Sequence, residues 1–344
     1  MSAISAALAQ IDELATEGDL NPQGLDELAL EAAGEAIELP DGRVVYPPSV
    51  HGEPLHELAG RLLDTGDPQN SRFLRLIGPP GTGKSMLARC IAYTLWLRRG
   101  RTVETRFGAP FYGFVEMQLG PSSDEWTFRH EFVPVGESGH VKLVDSAFVQ
   151  AMRNGWMVML DEVNIARDVA LLSINGAIDG RLSLYLPATG ETVTAAPGFC
   201  LALAYNNGLV GATDLPEAWY SRFPATIEIR SNWAALLRLG CPELLVKPAA
   251  ALDTRRVSGD DGLVWTPQFR EIESLHYLVS RVGERMAVSL FASDLHERAQ
   301  GGRIQDAEAA AACRMLDLAG YAHLKVSATR RIPSLHGYPR AVTS

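Results

Sequence analysis

Eight consecutive residues, Gly78-Pro79-Pro80-Gly81-Thr82-Gly83-Lys84-Ser85, carry the spacing of a polyphosphate cradle. They satisfy the pattern G-x-x-x-x-G-K-[ST] without a mismatch. Phosphates are anions, and the free backbone N–H groups at a helix N-terminus point at them. Glycine lets the backbone come close because no Cβ stands in the way. In this pattern Lys84 reaches the β- and γ-phosphates, the Ser85 hydroxyl takes a place on Mg²⁺, and Met86 completes the candidate nucleotide-binding set. The competing interpretation is a glycine-rich turn that happens to carry a lysine. The flanks decide between them: Phe73–Ile77 reads as a short apolar strand and 86–97 as a helix with little punctuation. Strand, glycine turn and helix form the context the motif requires.

A second set of chemistry-bearing residues follows downstream. The stretch 156–162 (WMVMLDE) is a buried apolar strand that ends in two carboxylates. Beyond a phosphate-binding turn, Asp161 at such a strand tip holds the water shell of Mg²⁺. Glu162 can then polarise an attacking water. Taken alone, two solvated acids at a strand end would explain the same residues. Another buried strand, 199–205, ends in Asn206-Asn207, where a polar side chain can sit between a γ-phosphate and the carboxylate. Arg222 lies near the end of a predicted helix. It is either a plain surface residue or an arginine that reaches a neighbouring molecule's γ-phosphate, a role worth roughly 10³–10⁵ in rate.

The elements that must position these groups come from pattern and punctuation. Val44 and its neighbours in 43–48 form a short strand ended by prolines, and 51–64 is a helix leading into the phosphate strand. Residues 103–107 are a candidate second strand, and 145–154 a helix. Between them, 109–144 has a poor pattern, and loops of that length in compact domains tend to be functional. Its aromatics Phe111, Tyr112, Phe114, Trp126 and Phe128 either grip a polymer or partner, or fill the core. Residues 181–186 and 191–195 flank a Pro-Ala-Thr-Gly turn and read as a hairpin. The sheet ends at 227–229, and 232–323 contain helical patterns only, among them a long Ala-rich helix over 303–324.

Composition sets the class. The chain has 344 residues, 47% of them hydrophobic, which suits a soluble globular protein with ample core. No apolar run approaches the roughly 18 residues of a membrane span, and 1–14 lack the basic region and cleavage site of an export signal. Cys90, Cys200, Cys241 and Cys313 are too far apart for metal-site spacing and read as reduced thiols of a cytoplasmic protein. The formal charge of −10 is uneven: 1–42 hold ten acids and no lysine or arginine, leaving a balanced remainder. That segment predicts two amphipathic helices, either packed on the core with acids solvated or serving as a docking arm for a basic partner. A neutral core argues against duplex DNA as the main partner. The expected divisions are an acidic helical segment at 1–45, an α/β core at 46–230, a helical domain at 231–325 and a basic tail at 326–344.

The order of these elements resembles AAA+ ATPases and, within them, the MoxR group, nearest in look to the CbbQ/NorQ subfamily. The residues that carry the likeness are GPPGTGKS (78–85), MLDEVN (159–164), LSLYLPATGETVTAAPGF (182–199), LAYNNG (203–208) and LPEAWYSRF (215–223). It covers about 72–230. The resemblance implies an α/β fold, a P-loop AAA+ three-layer αβα core with a parallel sheet, followed by a small all-α lid. It implies that Lys84 and Ser85 are the Walker A pair, Asp161 and Glu162 the Walker B pair, Asn206 sensor 1 and Arg222 a trans-acting finger. The hairpin at 182–196 would be the pre-sensor-1 insertion, and 109–144 would contain the helix-2 insertion, both projecting toward the pore of a ring. Two positions depart from the family pattern. Sensor 1 usually reads Asn-Pro, and sensor 2 is usually an Arg where Thr266-Pro267-Gln268 places a Gln, with Arg270 two residues on as the substitute. The implied activity is ATP hydrolysis with Mg²⁺ by a homo-oligomer, six being the family habit, that remodels or activates a client protein. A partner carrying a von Willebrand factor A domain often accompanies it. The rivals are a nucleic-acid-directed motor of McrB type and a slow nucleotide-dependent scaffold switch.

Overall fold

The computed structural model describes residues 35–50, 52–64, 72–135, 140–206, 214–223, 225–259 and 262–317. The helices expected within 1–33, Asn207 and the basic tail lie outside these residues. Two units are distinguished, one of residues 26–235 and one that includes 236–317, whose described residues are mostly helical.

In the first unit, helix α1 (Leu55–Leu63) precedes β1 (Phe73–Ile77), which runs through the glycine turn into α2 (Lys84–Arg98). A hairpin of β2 (Glu104–Arg106) and β3 (Ala109–Phe111) follows, then β4 (Phe114–Gln118) and the short helix α3 (Glu125–Arg129). Strands β5 (His130–Val135) and β6 (His140–Asp145) form a second hairpin before α4 (Ala147–Asn154) and β7 (Met157–Asp161). Helix α5 (Asp168–Leu172) leads to a third hairpin, β8 (Ser183–Leu186) and β9 (Glu191–Thr194). Strand β10 (Cys200–Tyr205), helix α6 (Glu217–Arg222) and strand β11 (Ala225–Glu228) complete the unit.

Five of these strands make one sheet in the order β4-β7-β10-β1-β11, and every pairing is parallel. Parallel strands joined through helices are covered on both faces, so their sequences lose alternation. Strand β10 (CLALAY) is buried throughout, and β7 is buried from Met157 to Leu160. The edge strand β4 instead alternates, with Val115 and Met117 packed on the core. Helix α2 buries Leu87, Ala88, Ile91, Leu95 and Trp96. Aromatic contacts extend the core: Phe128, Phe148 and Phe199 meet edge-on, and Phe73, Phe223 and Trp219 form a second chain.

Two expectations are corrected. Of residues 103–107, read as the second strand, Glu104–Arg106 pairs antiparallel with Ala109–Phe111 off the sheet, because Glu104-Thr105-Arg106 offers no apolar face to bury. The place beside β7 belongs to β4, inside the stretch read as patternless. That stretch also holds the short helix α3 and most of a hairpin that leads on into α4. Helix α3 is capped by Asp124, which accepts from Trp126 N and Thr127 N, and α4 by Ser146, which accepts from Val149 N. Between them β5 and β6 pair from His130–Asp145 out to Val135–His140. Of the five aromatics, Tyr112 and Phe128 are buried and Phe111 and Phe114 pack on the core, while Trp126 remains exposed beside Phe132.

The second unit contains α7 (Glu243–Ser258), α8 (Phe269–Val282), α9 (Glu284–Gln300) and α10 (Asp306–Leu316). Helix α10 starts later than the pattern over 303–324 indicated, because Gln305 and Glu308 form a capping box that fixes its first turn. Buried Glu308 also accepts from Val264 N and Trp265 N, both at 2.7 Å, tying the loop before α8 to α10.

Candidate functional site

Parallel register brings the carboxyl ends of the inner strands to one edge. Asp161 is level with Gln118 on one side and Ala204 on the other, and Tyr205 is level with Ile77. In open α/β sheets this edge is where ligands bind. The chain leaves β1 there through Gly78, whose Cβ, if it had one, would lie 2.1 Å from the Ile229 carbonyl oxygen. Gly83 caps α2 at φ 95°, a left-handed conformation that costs glycine little. Thr82 Oγ1 donates to Pro79 O at 2.9 Å and holds the turn closed.

Lys84 is buried and folds back over this turn. Its Nζ donates to Gly78 O at 2.8 Å, Pro79 O at 2.8 Å and Asn206 Oδ1 at 2.5 Å. The last bond joins residues 122 positions apart in sequence, so the cradle and the end of β10 share one cation. Asn206 is buried, and its carbonyl accepts from Asn164 Nδ2 at 2.9 Å. Ser85 and Met86 lie half-buried on the first turn of α2.

The carboxylates stand at the same edge. Burial pushes the Asp161 carboxyl above its ordinary range; the Glu162 backbone N–H opposes this, the Glu162 charge adds to it, and Lys84 pulls it back. A carboxylate desolvated in this way gains from any cation that comes to it. Together with the Ser85 hydroxyl it suits a hard divalent cation that takes oxygen ligands, as Mg²⁺ does. Glu162 adopts a left-handed backbone, φ 57° and ψ 36°, which is uncommon for a residue with a Cβ and occurs at functional sites. Its Oε2 accepts from Gln118 Nε2 at 3.0 Å.

Arg222 ends α6. The helix is fastened by buried Trp219, whose Nε1 donates to Asn175 Oδ1 at 3.0 Å, and by Phe223 against Phe73. The Arg75 guanidinium sits 4.9 Å from the centre of the Tyr220 ring. Arg222 Nη1 donates to Ala218 O at 2.7 Å. The structure therefore gathers Gly78–Met86, Asp161, Glu162 and Asn206 at one edge, while Arg222 sits on α6, which packs on β1.

Arg270 belongs to the helical unit, exposed on the first turn of α8. Gln268, which occupies the expected sensor-2 position, is used inside that unit. Buried, it caps α8 and donates to Asp253 Oδ1 at 3.1 Å and Thr266 O at 3.0 Å. Two site residues escaped sequence reasoning. Gln118 lies in the stretch without a clear pattern, and its role emerges only from the β4–β7 register. Asn164 stands in the quoted MLDEVN motif, but its reach to Asn206 depends on the 3₁₀ turn at Val163–Ile165. Cys90, Cys200 and Cys241 are buried free thiols with pKa values pushed up to about 12, 11 and 11 by burial, and are unreactive as nucleophiles. Among the described residues no helix is long and apolar enough to cross a membrane.

Comparison with known proteins places the same segment in context. Residues 74–223 match the family model of the AAA domain, dynein-related subfamily. The chain is 32% identical over 160 residues to an uncharacterized protein of Staphylococcus epidermidis RP62A, covering 45% of this chain and 54% of that one. It is 37% identical over 158 residues to an uncharacterized protein of Staphylococcus aureus USA300, covering 44% and 54%. The chain thus spans about half the length of these curated relatives. A solved structure of a candidate ATPase from Cytophaga hutchinsonii aligns at 15% identity over 72% of this chain and 66% of that one, with a TM-score of 0.38.

Proposed function

With an AAA domain of the dynein-related subfamily in residues 74–223 as premise, we propose that the protein binds ATP with Mg²⁺, hydrolyses it between neighbouring copies and uses the cycle to remodel a client protein. The observation that carries this reading is the single ammonium of Lys84, held by two P-loop carbonyls and by Asn206 at the edge where Asp161 and Glu162 end β7.

The chemistry follows from the residues. The N–H groups of 81–86 and the Lys84 ammonium would exchange their present partners for the β- and γ-phosphate oxygens. Mg²⁺, when bound through Ser85 and Asp161, would neutralise charge on the same phosphates. Glu162, oriented by Gln118, takes the proton of a water whose oxygen bonds to the γ-phosphorus. The bond to the β,γ-bridging oxygen breaks, and ADP and phosphate leave. Asn206 holds the water or the γ-phosphate in line, and Arg222 of a neighbouring copy meets the charge that spreads over the γ-phosphate oxygens.

Two further features support a MoxR-like remodelling role: the β5–β6 hairpin set between α3 and α4, and the β8–β9 hairpin before β10. These hairpins would work on the client in a ring, six copies being the family habit, in the cytoplasm. A von Willebrand factor A protein is the candidate partner. Steady-state turnover tests the assignment. Glu162→Gln should lower kcat by about 10²–10⁴ while ATP binding persists; an unchanged rate refutes it. Filter binding of nucleic acid at physiological salt, with and without nucleotide, separates the rival motor, which alone retains nucleic acid there.

A further inference from the structure

The turn Asp179-Gly180-Arg181 was not among the residues singled out for chemistry. The Asp179 carboxylate accepts from Arg181 N at 2.9 Å, from Arg181 Nε at 3.1–3.2 Å and from Arg181 Nη2 at 2.7 Å. A bidentate clamp of this kind fixes a guanidinium in both place and plane. Yet the Arg181 side chain remains 70% exposed. The clamp thus holds the Arg181 guanidinium at the surface, where it is open to a group from outside its own fold.

Its neighbourhood gives the direction. Asn175, four residues before Asp179, accepts the indole N–H of Trp219 on α6, three residues before Arg222. The segment carrying Arg181 and the helix carrying Arg222 are therefore fastened together. The Asp179 carboxyl is held below its ordinary range first by the Arg181 hydrogen bond, with burial opposing, and Arg222 adds its field to that of Arg181. The Asp179 carboxylate thus bonds the Arg181 guanidinium and feels the charge of Arg222. Space below the turn is limited: a Cβ on Gly176 would lie 2.5 Å from Ser183 O and 3.8 Å from Arg181 Nη2.

We infer that Arg181 is a second trans-acting arginine, presented beside Arg222 by the Asp179 clamp to contact the phosphates of the nucleotide in the adjoining copy. This inference rests on the proposed function, since it needs a nucleotide at an interface between copies. Asp179 is a positioning residue, because it acts through Arg181. The two guanidinium groups together would match the several oxygens of a polyphosphate, and the Asp179 carboxylate offsets part of their charge before the anion arrives.

The test uses variants carrying different affinity tags, co-expressed and purified through both tags in succession. Arg181→Ala is expected to lower kcat by about ten- to a hundredfold, the loss of one charge-assisted contact, with affinity for a fluorescent ATP analogue and the melting temperature little changed. Arg181→Lys should recover part of the rate. In mixed assemblies of Arg181→Ala with Lys84→Ala, each junction pairing an intact cradle with an intact Arg181 is whole, so turnover should return. The same mixture with Arg222→Ala is the reference. If Arg222→Ala is complemented and Arg181→Ala is not, Arg181 acts within its own copy and the inference falls while the proposed function stands. If Arg181→Ala turns over at the wild-type rate, the inference falls in the same way. If no doubly tagged assembly forms with ATP and Mg²⁺, or neither mixture regains activity, the proposed function falls with it.

Discussion

Replacing Gly78 by alanine tests the cradle at its tightest point. The added Cβ would lie 2.1 Å from Ile229 O and 3.1 Å from Ile229 C. A carbon–oxygen contact needs about 3.3 Å, so the shortfall is roughly 1.2 Å. The obstacle is backbone, so no rotamer change relieves it. Ile229 cannot retreat alone either, because its N–H donates to Ile77 O at 2.6 Å at the end of β1. The turn must tilt or β1 and β11 must part, and overpacking of this kind costs about 1–3 kcal/mol. For a domain of this size each kcal/mol lowers the melting temperature by about 2–4 °C, so a fall of about 2–12 °C is expected. A turn displaced by about an ångström also loses at least one charge-assisted contact to phosphate, about 1.5–3 kcal/mol, which weakens ATP by about tenfold or more. Thermal melting with and without Mg·ATP, together with titration of a fluorescent ATP analogue, reads both effects. Gly120→Ala is the control, because a Cβ there meets nothing within 4 Å. If Gly78→Ala melted and bound nucleotide like Gly120→Ala, the packing of the cradle against Ile229 would be refuted.

Other substitutions separate the roles of the carboxylates and Asn206. Burial lifts the Asp161 pKa above its ordinary 3.8, so ionisation costs more in the folded than in the unfolded chain. The unliganded fold bears that penalty fully above the raised pKa and sheds it as pH falls toward 3.8. Asp161→Asn should therefore raise the melting temperature without nucleotide near neutral pH, by a margin that shrinks on acidification, and should abolish the further stabilisation by Mg·ATP. A margin that grows on acidification contradicts the assigned direction. Glu162→Gln should retain that stabilisation while turnover collapses, measured by phosphate release. Asn206→Ala removes an acceptor that competes with phosphate for Lys84, so KM for ATP should hold or fall while kcat drops; a raised KM at unchanged kcat contradicts its placement.

Much of this edge was legible because its parts are local. The cradle, its strand and its helix are contiguous, and the structure places β1 over the stretch read from sequence and α2 slightly longer at each end. Strands β7 and β10 were readable because inner parallel strands are apolar throughout, and the β8–β9 hairpin because its turn residues are explicit. What failed depended on partners distant in sequence. Glu104-Thr105-Arg106 and Phe114–Gln118 both form strands, and the chance to bury Val115 and Met117 against the core separates sheet from hairpin. Gln118 could not be linked to Glu162 before the β4–β7 register was known. Gln268 looked like a degenerate sensor, whereas the buried Asp253 carboxylate and the first turn of α8 account for it.

The most direct measurement is calorimetric titration of ATP with Mg²⁺ into the wild-type protein and into Lys84→Ala. Uptake of one nucleotide per chain by the wild type, and none by the variant at the same concentrations, is the predicted result. No heat of uptake in the wild type, or equal uptake in both, would contradict the assignment of the 78–86 turn as the seat of the triphosphate.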